Sequence, residues 1–242
     1  MKLDPYAPDA LRPGLLPCGT AGGGRAEARG PDDLAVFFTD WDGRSPALTR
    51  ALYGTFPAFR TAFDALCGVL DDCLPIPLVA AVFAPPHGVD AQLLDDARYG
   101  RPALLGYQVA LFRLWQAHGI AAAVVTGHGV GAFAAAHVAG RLGLGEAARL
   151  ALRGADCACA ADRTDAADRR VAERMLRTEG CGRLLWCGPT QDAVGVVGEA
   201  RNLLTALGEL QMGGPKIDWE GLVPSGTAPG PLEESGVRPV NV

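Results

Sequence analysis

The sequence has no long apolar run, no excess of positive charge and no paired cysteine motif. Each lack closes off a class of protein. Its apolar stretches, such as Ile120 to Val125, fall far short of the roughly 20 residues that a membrane-spanning helix needs. The formal net charge is −5, with Lys and Arg scattered rather than gathered in a stripe between aromatics. That excludes a broad nucleic-acid or anionic-membrane surface. No export leader is visible, because Met1-Lys2-Leu3-Asp4-Pro5 runs into a segment broken by Pro and Gly rather than into an apolar stretch. A soluble, cytoplasmic protein is the expectation. The seven cysteines are an odd number, and Cys157-Ala158-Cys159 has no second pair to complete a metal site. Free thiols, with no metal and no cofactor, are therefore expected. There is no internal repeat.

What is present is ordinary globular material. The chain has 242 residues, 49% hydrophobic and 20% charged, enough for one good-sized core. Residues 1–33 carry Pro5, Pro8, Pro13, Pro17 and Gly22-Gly23-Gly24, and read as a flexible arm. Leu34-Ala35-Val36-Phe37-Phe38 reads as a buried strand. Ser45-Pro46 starts a helix with Leu48, Leu52 and Phe56 on one face. A second helix follows Pro57, with Phe59, Phe63, Leu66 and Leu70 at helical spacing, and ends in a loop around Pro75, Pro77, Pro85 and Pro86. Pro102 is taken to open a long helix through Leu105, Val109, Phe112 and Trp115 that stops at Gly119.

Residues 121–126 read as the next strand, leading through a glycine turn into an Ala-rich helix over 132–139. Another helix covers about 145–153. Residues 154–183 are charged and rich in Cys and Ala, with a helix around 171–176. A third strand, Leu184-Leu185-Trp186-Cys187, and a last helix carrying Leu203, Leu204, Leu207 and Leu210 follow. The tail from Gly213 is rich in Pro and Gly. Strands alternating with helices predict an α/β fold, a mainly parallel sheet with helices on both faces.

The chemistry points to Gly127-His128-Gly129-Val130-Gly131. A strand, a tight glycine-flanked turn and a helix form the setting of a nucleophile elbow, usually GxSxG. There a serine hydroxyl is held above the sheet at the positive end of a helix. In this sequence the glycine frame is intact, and Gly129 stands where the serine would be.

The flanking residues sharpen this elbow. Gly127-His128 followed by Ala134-Ala135-Ala136-His137-Val138-Ala139-Gly140 resembles the GHSxG…AAAHVAG segment of malonyl-type acyltransferase domains of modular polyketide synthases. Leu52-Tyr53-Gly54-Thr55-Phe56-Pro57-Ala58-Phe59-Arg60 resembles the LYxTFPxFR helix pair of that family, and Tyr99-Gly100-Arg101-Pro102-Ala103-Leu104 its YTQPAL helix start. Leu203 to Leu210 with Ile217-Asp218-Trp219 resembles its closing stretch and post-domain linker. The likeness covers about residues 34–154 and 184–223. It implies a three-layer α/β fold with α/β-hydrolase-like elbow topology, without the small ferredoxin-like subdomain. It also implies an acyltransferase-like domain over 34–212, in which 154–183 is a short replacement for that subdomain, and a surface-lying linker over 213–242.

The departures from the family bear on function. The family serine attacks an acyl-CoA thioester, and the acyl group then passes to a carrier-protein thiol. Gly129 has no nucleophile. Where the family has its GQGSQ oxyanion loop, an ungapped reading places Asp40-Trp41-Asp42-Gly43-Arg44, with bulky Trp41 at the first glutamine. Arg101 replaces the glutamine before Pro102. Gly154 takes the place of the arginine that holds the extender carboxylate, with Arg153 one residue early, about 100° away on a helix. Residues 154–183 contain no histidine to serve as the family's second catalytic group.

Two functions follow from the resemblance. One is a non-catalytic partner or scaffold for a polyketide ketosynthase, acyl carrier protein or acyltransferase. The other is a repurposed enzyme acting on a polyketide intermediate by cyclisation, dehydration or hydrolysis. For the latter, His128, Asp40 and Arg101 would converge in the vacated cleft as acid, base or clamp. The plainer readings make Gly129 a relief of backbone strain, His128 and His137 structural, and Asp40, Asp42 and Arg44 a solvated loop. His87 and His118 read as solvated.

Overall fold

A computed structural model of the chain describes residues 16–17, 33–40, 46–85, 88–154, 181 and 183–188. Among the described residues four strands form one sheet: β1 (Leu16–Pro17), β2 (Leu34–Phe38), β3 (Val124–Gly127) and β4 (Arg183–Cys187), in the order β1-β3-β2-β4. β2 runs parallel to both neighbours, with Val36 level with Val125 on one side and Leu185 on the other. β1 pairs antiparallel with β3 through Leu16 and Val125. Leu16 and Pro17 fall inside the segment expected to be an unpacked arm.

All five residues of β2 are buried, as a continuous apolar run in a central parallel strand should be. Its side chains alternate between two faces. Leu34, Val36 and Phe38, with Val125, Leu185 and Cys187, join the main core, which the helices complete. Ala35 and Val124 pack with Cys181 and Leu184 on the opposite face, where the Phe37 ring meets Trp186 edge-on at 5.1 Å.

Among the described residues the helices are α1 (Pro46–Thr55), α2 (Pro57–Leu70), α3 (Leu78–Phe83), α4 (Ala97–Ala117), α5 (Val130–Val138) and α6 (Leu144–Arg153), with a 3-10 turn at Val89–Asp95. Phe59, Phe63, Leu66 and Leu70 recur on the inner face of α2 and are fully buried. Each removes enough apolar area from water to contribute on the order of 2 kcal/mol. Central α4 buries most of its length, and its Phe112 ring lies 5.7 Å from that of Phe38 in β2.

Several boundaries differ from the sequence reading. The proline-rich stretch after α2 is not all loop, because α3 and the 3-10 turn form between Pro77 and Asp95. α4 begins at Ala97 rather than at Pro102, which lies inside it. The Asp96 side chain accepts the backbone N–H of Arg98 at 2.9 Å, so the capping residue, not the proline, sets the start. β3 begins at Val124, three residues later than expected. His118 is half-buried rather than solvated, with its ring 6.3 Å from that of Phe56. The helices expected at 171–176 and 203–210, together with His87, lie outside the described residues.

Candidate functional site

The site forms where the C-terminal ends of β2 and β3 meet the N-terminus of α5. β3 ends at Gly127 and α5 starts at Val130, so only His128 and Gly129 make the turn. The His128 N–H donates to the Phe38 carbonyl at 3.1 Å, tying the turn to the end of β2. A Cβ on Gly131 would overlap the Phe38 carbonyl, and one on Gly127 would overlap the backbone of Gly131. The outer glycines of the motif are therefore required by close backbone approach.

Gly129 adopts φ 53°, ψ −121°. This positive-φ conformation is cheap for glycine and strained for any residue with a side chain. It is the geometry of a sharp elbow lifting one residue above the sheet at the positive end of a helix.

What fills the space above that residue is Asp40. A Cβ built on Gly129 would overlap the Asp40 carboxyl carbon and both of its oxygens. Asp40 Oδ1 accepts the Val130 backbone N–H, the first of α5, at 2.7 Å. Asp40 is only 6% exposed. The expectation that it belongs to a solvated loop is thus corrected: it lies directly beyond β2 and turns inward over the elbow. The chain path that brings the end of β2 over α5 is tertiary, and its one signal in the sequence was the ungapped match of Asp40-Trp41-Asp42-Gly43-Arg44 to the family's oxyanion loop.

The other candidates divide from this pair. His128 sits in the turn, half-buried. Arg101, in the second turn of α4, lies against the end of α6, where a Cβ on Gly154 would meet its Nη2 at 2.7 Å. Among the described residues, the Arg101 Nε is buried without a hydrogen-bond partner. Arg153 is exposed at the end of α6. Trp41, Asp42 and Arg44 lie outside the described residues.

Sequence reasoning missed Gln108. Its side chain is fully buried, and Nε2 donates to the Thr39 carbonyl at 2.7 Å and to the Cys187 carbonyl at 3.2 Å. The amide locks the ends of β2 and β4 together one residue before Asp40. A glutamine inside the apolar run of α4 was the available signal, since a buried amide needs partners. His137, at the end of α5, hydrogen-bonds through Nδ1 to the Leu142 carbonyl at 3.1 Å. Burial holds its imidazole below the usual value, against the raising effect of that hydrogen bond.

The acyl transferase domain family matches residues 43–181, more than half of the chain and the whole elbow. The chain belongs to the acyl transferase domain family. Similar members include the polyketide synthase GfsA of Streptomyces halstedii, 38% identical over 140 residues, which are 53% of this chain and 2% of GfsA. The spectinabilin polyketide synthase system protein NorB of Streptomyces orinoci is 39% identical over 148 residues, 61% of this chain and 6% of NorB. The chain thus spans only a small part of the curated relatives it matches. Among solved acyl transferase domains, one from the second module of the salinomycin polyketide synthase is 34% identical, with TM-score 0.45. That match covers 52% of this chain and 28% of the other. A malonyl-transacylase, solved in complex with a type II polyketide synthase acyl-carrier protein, is 28% identical with TM-score 0.43, covering 50% of this chain and 38% of that one. Among the described residues no helix is long and apolar enough to cross a membrane.

Proposed function

We propose that this acyl transferase family member does not form an acyl-enzyme, and that it serves polyketide biosynthesis as a non-catalytic partner of a ketosynthase, acyl carrier protein or acyltransferase. The observation that carries this reading is the occupancy of the elbow. Gly129 takes the place of the family nucleophile, and the Asp40 carboxyl stands where a side chain on it would emerge. Acyl transfer through a serine needs an attacking oxygen, a base within hydrogen-bonding reach and free N–H donors for the oxyanion. At this elbow there is no side-chain oxygen on residue 129, and the first N–H of α5 already donates to a carboxylate.

The same contact weighs against the repurposed enzyme. A cleft emptied by loss of a serine would offer room to a polyketide intermediate, whereas here the space beside Gly129 holds Asp40. Arg101 reaches toward Gly154, the position matching the family's carboxylate-binding arginine, rather than toward the elbow. In this reading the domain spans residues 34–212, joined in its sheet by β1 from the preceding segment, and the linker-like stretch over 213–242 suits a docking role.

Two measurements test this reading. Intact-mass spectrometry after incubation with malonyl-CoA and other acyl-CoAs should show no mass increase, and Gly129→Ser should not restore one. A covalent acyl adduct on the wild-type chain would overturn the proposal. Calorimetry against cognate ketosynthase and carrier proteins should detect binding without acylation; lack of affinity for every such component would remove the partner role.

A further inference from the structure

We infer that Asp40 is a tethered anion seated in the anion site of the α5 N-terminus, and that Gly129 and Asp40 form a volume-exchanged pair in which only one of the two positions can carry a side chain. This deepens the proposed reading, because it names what closes the elbow.

A carboxylate that is 6% exposed is costly unless donors replace its water. The first N–H of α5 does so at 2.7 Å, with the positive end of the helix behind it. The approach is possible because residue 129 is glycine, since any Cβ there overlaps the carboxyl group. β2 cannot simply draw back to make room. Its end is fixed by the His128 N–H on the Phe38 carbonyl and by Gln108 on the Thr39 carbonyl. The carboxylate therefore occupies the site as a built-in ligand.

Two consequences are measurable on the full chain. The first is exchange of the tethered anion for a free one. Asp40→Gly removes the carboxymethyl group, so that a small free carboxylate such as formate has room to take its place. Sodium formate should raise the Tm of Asp40→Gly by several degrees over sodium chloride of equal ionic strength, and leave wild type and Asp40→Asn unmoved. If Asp40→Gly does not fold in chloride, the readout becomes the folded fraction by circular dichroism during a formate titration. Formate-independent behaviour in either form overturns the inference.

The second is a coupling between the two positions. Gly129→Ala carries its positive-φ strain in any background, so a double-mutant cycle subtracts that cost. The loss of Tm from Gly129→Ala should be at least halved when Asp40 is already glycine. An equal loss in both backgrounds would show that the carboxyl does not stand where Cβ would be. Both experiments read stability, whereas the proposed function is tested by acylation and partner binding, so either can fail without the other.

Discussion

At the scale of single residues, the most consequential polar side chains in this molecule are internal ones. Gln108 is the clearest case. Its Nε2 joins the ends of two strands distant in sequence, and the Cys187 thiol donates back to the Gln108 carbonyl at 3.4 Å. Replacing the amide by an isosteric apolar group would strand the Thr39 carbonyl in the interior. Gln108→Leu should lower unfolding free energy by about 2 kcal/mol, read as a reduced urea midpoint at unchanged m. Unchanged or increased stability would mean the amide is not needed to hold β2 against β4. Legibility was poorest at this scale. Gly129 stood out because a known frame surrounds it, whereas Asp40 and Gln108 have roles that depend on which distant carbonyl or N–H they meet. Apart from the ungapped match of Asp40-Trp41-Asp42-Gly43-Arg44 to the family's oxyanion loop, nothing in the residues adjacent to Asp40 distinguishes it from a solvated acid.

At the scale of elements, existence was easier to read than extent. The apolar spacing in α2 and the continuous run in β2 follow directly from periodicity, because the buried face repeats with the element's own period. The start of α4 did not, since Pro102 is a strong local signal and tertiary packing carries the helix past it. The cap at Asp96 marks the true boundary and was available in the sequence.

The end of α5 gives a pH prediction. His137 lies in its last turn, where the helix dipole favours a protonated ring. Burial acts in the opposite direction and holds its pKa below the ordinary 6.5, with the positive charge of Arg113 adding to the effect. The folded state thus prefers the neutral ring. Its stabilising contribution is complete above the unfolded value and is lost as pH falls through the folded value. Unfolding free energy should decline as pH drops from about 7 to about 5. His137→Asn, whose amide nitrogen stands near the Nδ1 position and can donate to the Leu142 carbonyl, should decline less steeply. Equal slopes for the two proteins would dismiss His137 as a source of the effect.

At the scale of the whole molecule, one core cluster joins described residues from β2 through β4. The α/β class was legible because strands and helices alternate. The sheet order was not, because pairing partners are chosen by burial across the sheet rather than by neighbours in sequence. Two thiols report on the unity of this core. Cys67 in α2 and Cys187 in β4 belong to the same cluster and are both buried. Burial pushes the Cys67 thiol up to about 12 and raises the Cys187 thiol as well, so neither supplies a thiolate near neutrality. Iodoacetamide with peptide mapping should modify exposed Cys73 first among the described cysteines. Cys67 and Cys187 should label together, over the denaturant range in which the fold is lost. Labelling of Cys187 well before Cys67 would reveal that β4 detaches separately.

The sheet order also dictates a sequence of assembly. Ala35, in β2, faces Val124 on one side and Leu184 on the other. Both pairing partners are therefore synthesised long after it. A nascent chain emerging from the ribosome must carry Val36, Phe37 and Phe38 without lasting edges to pair with, until two later crossings have been made. Such non-local closure is slow and leaves apolar strands open to the wrong neighbours. The phenylalanines that the finished sheet hides completely are thus the ones a chaperone has longest to hold.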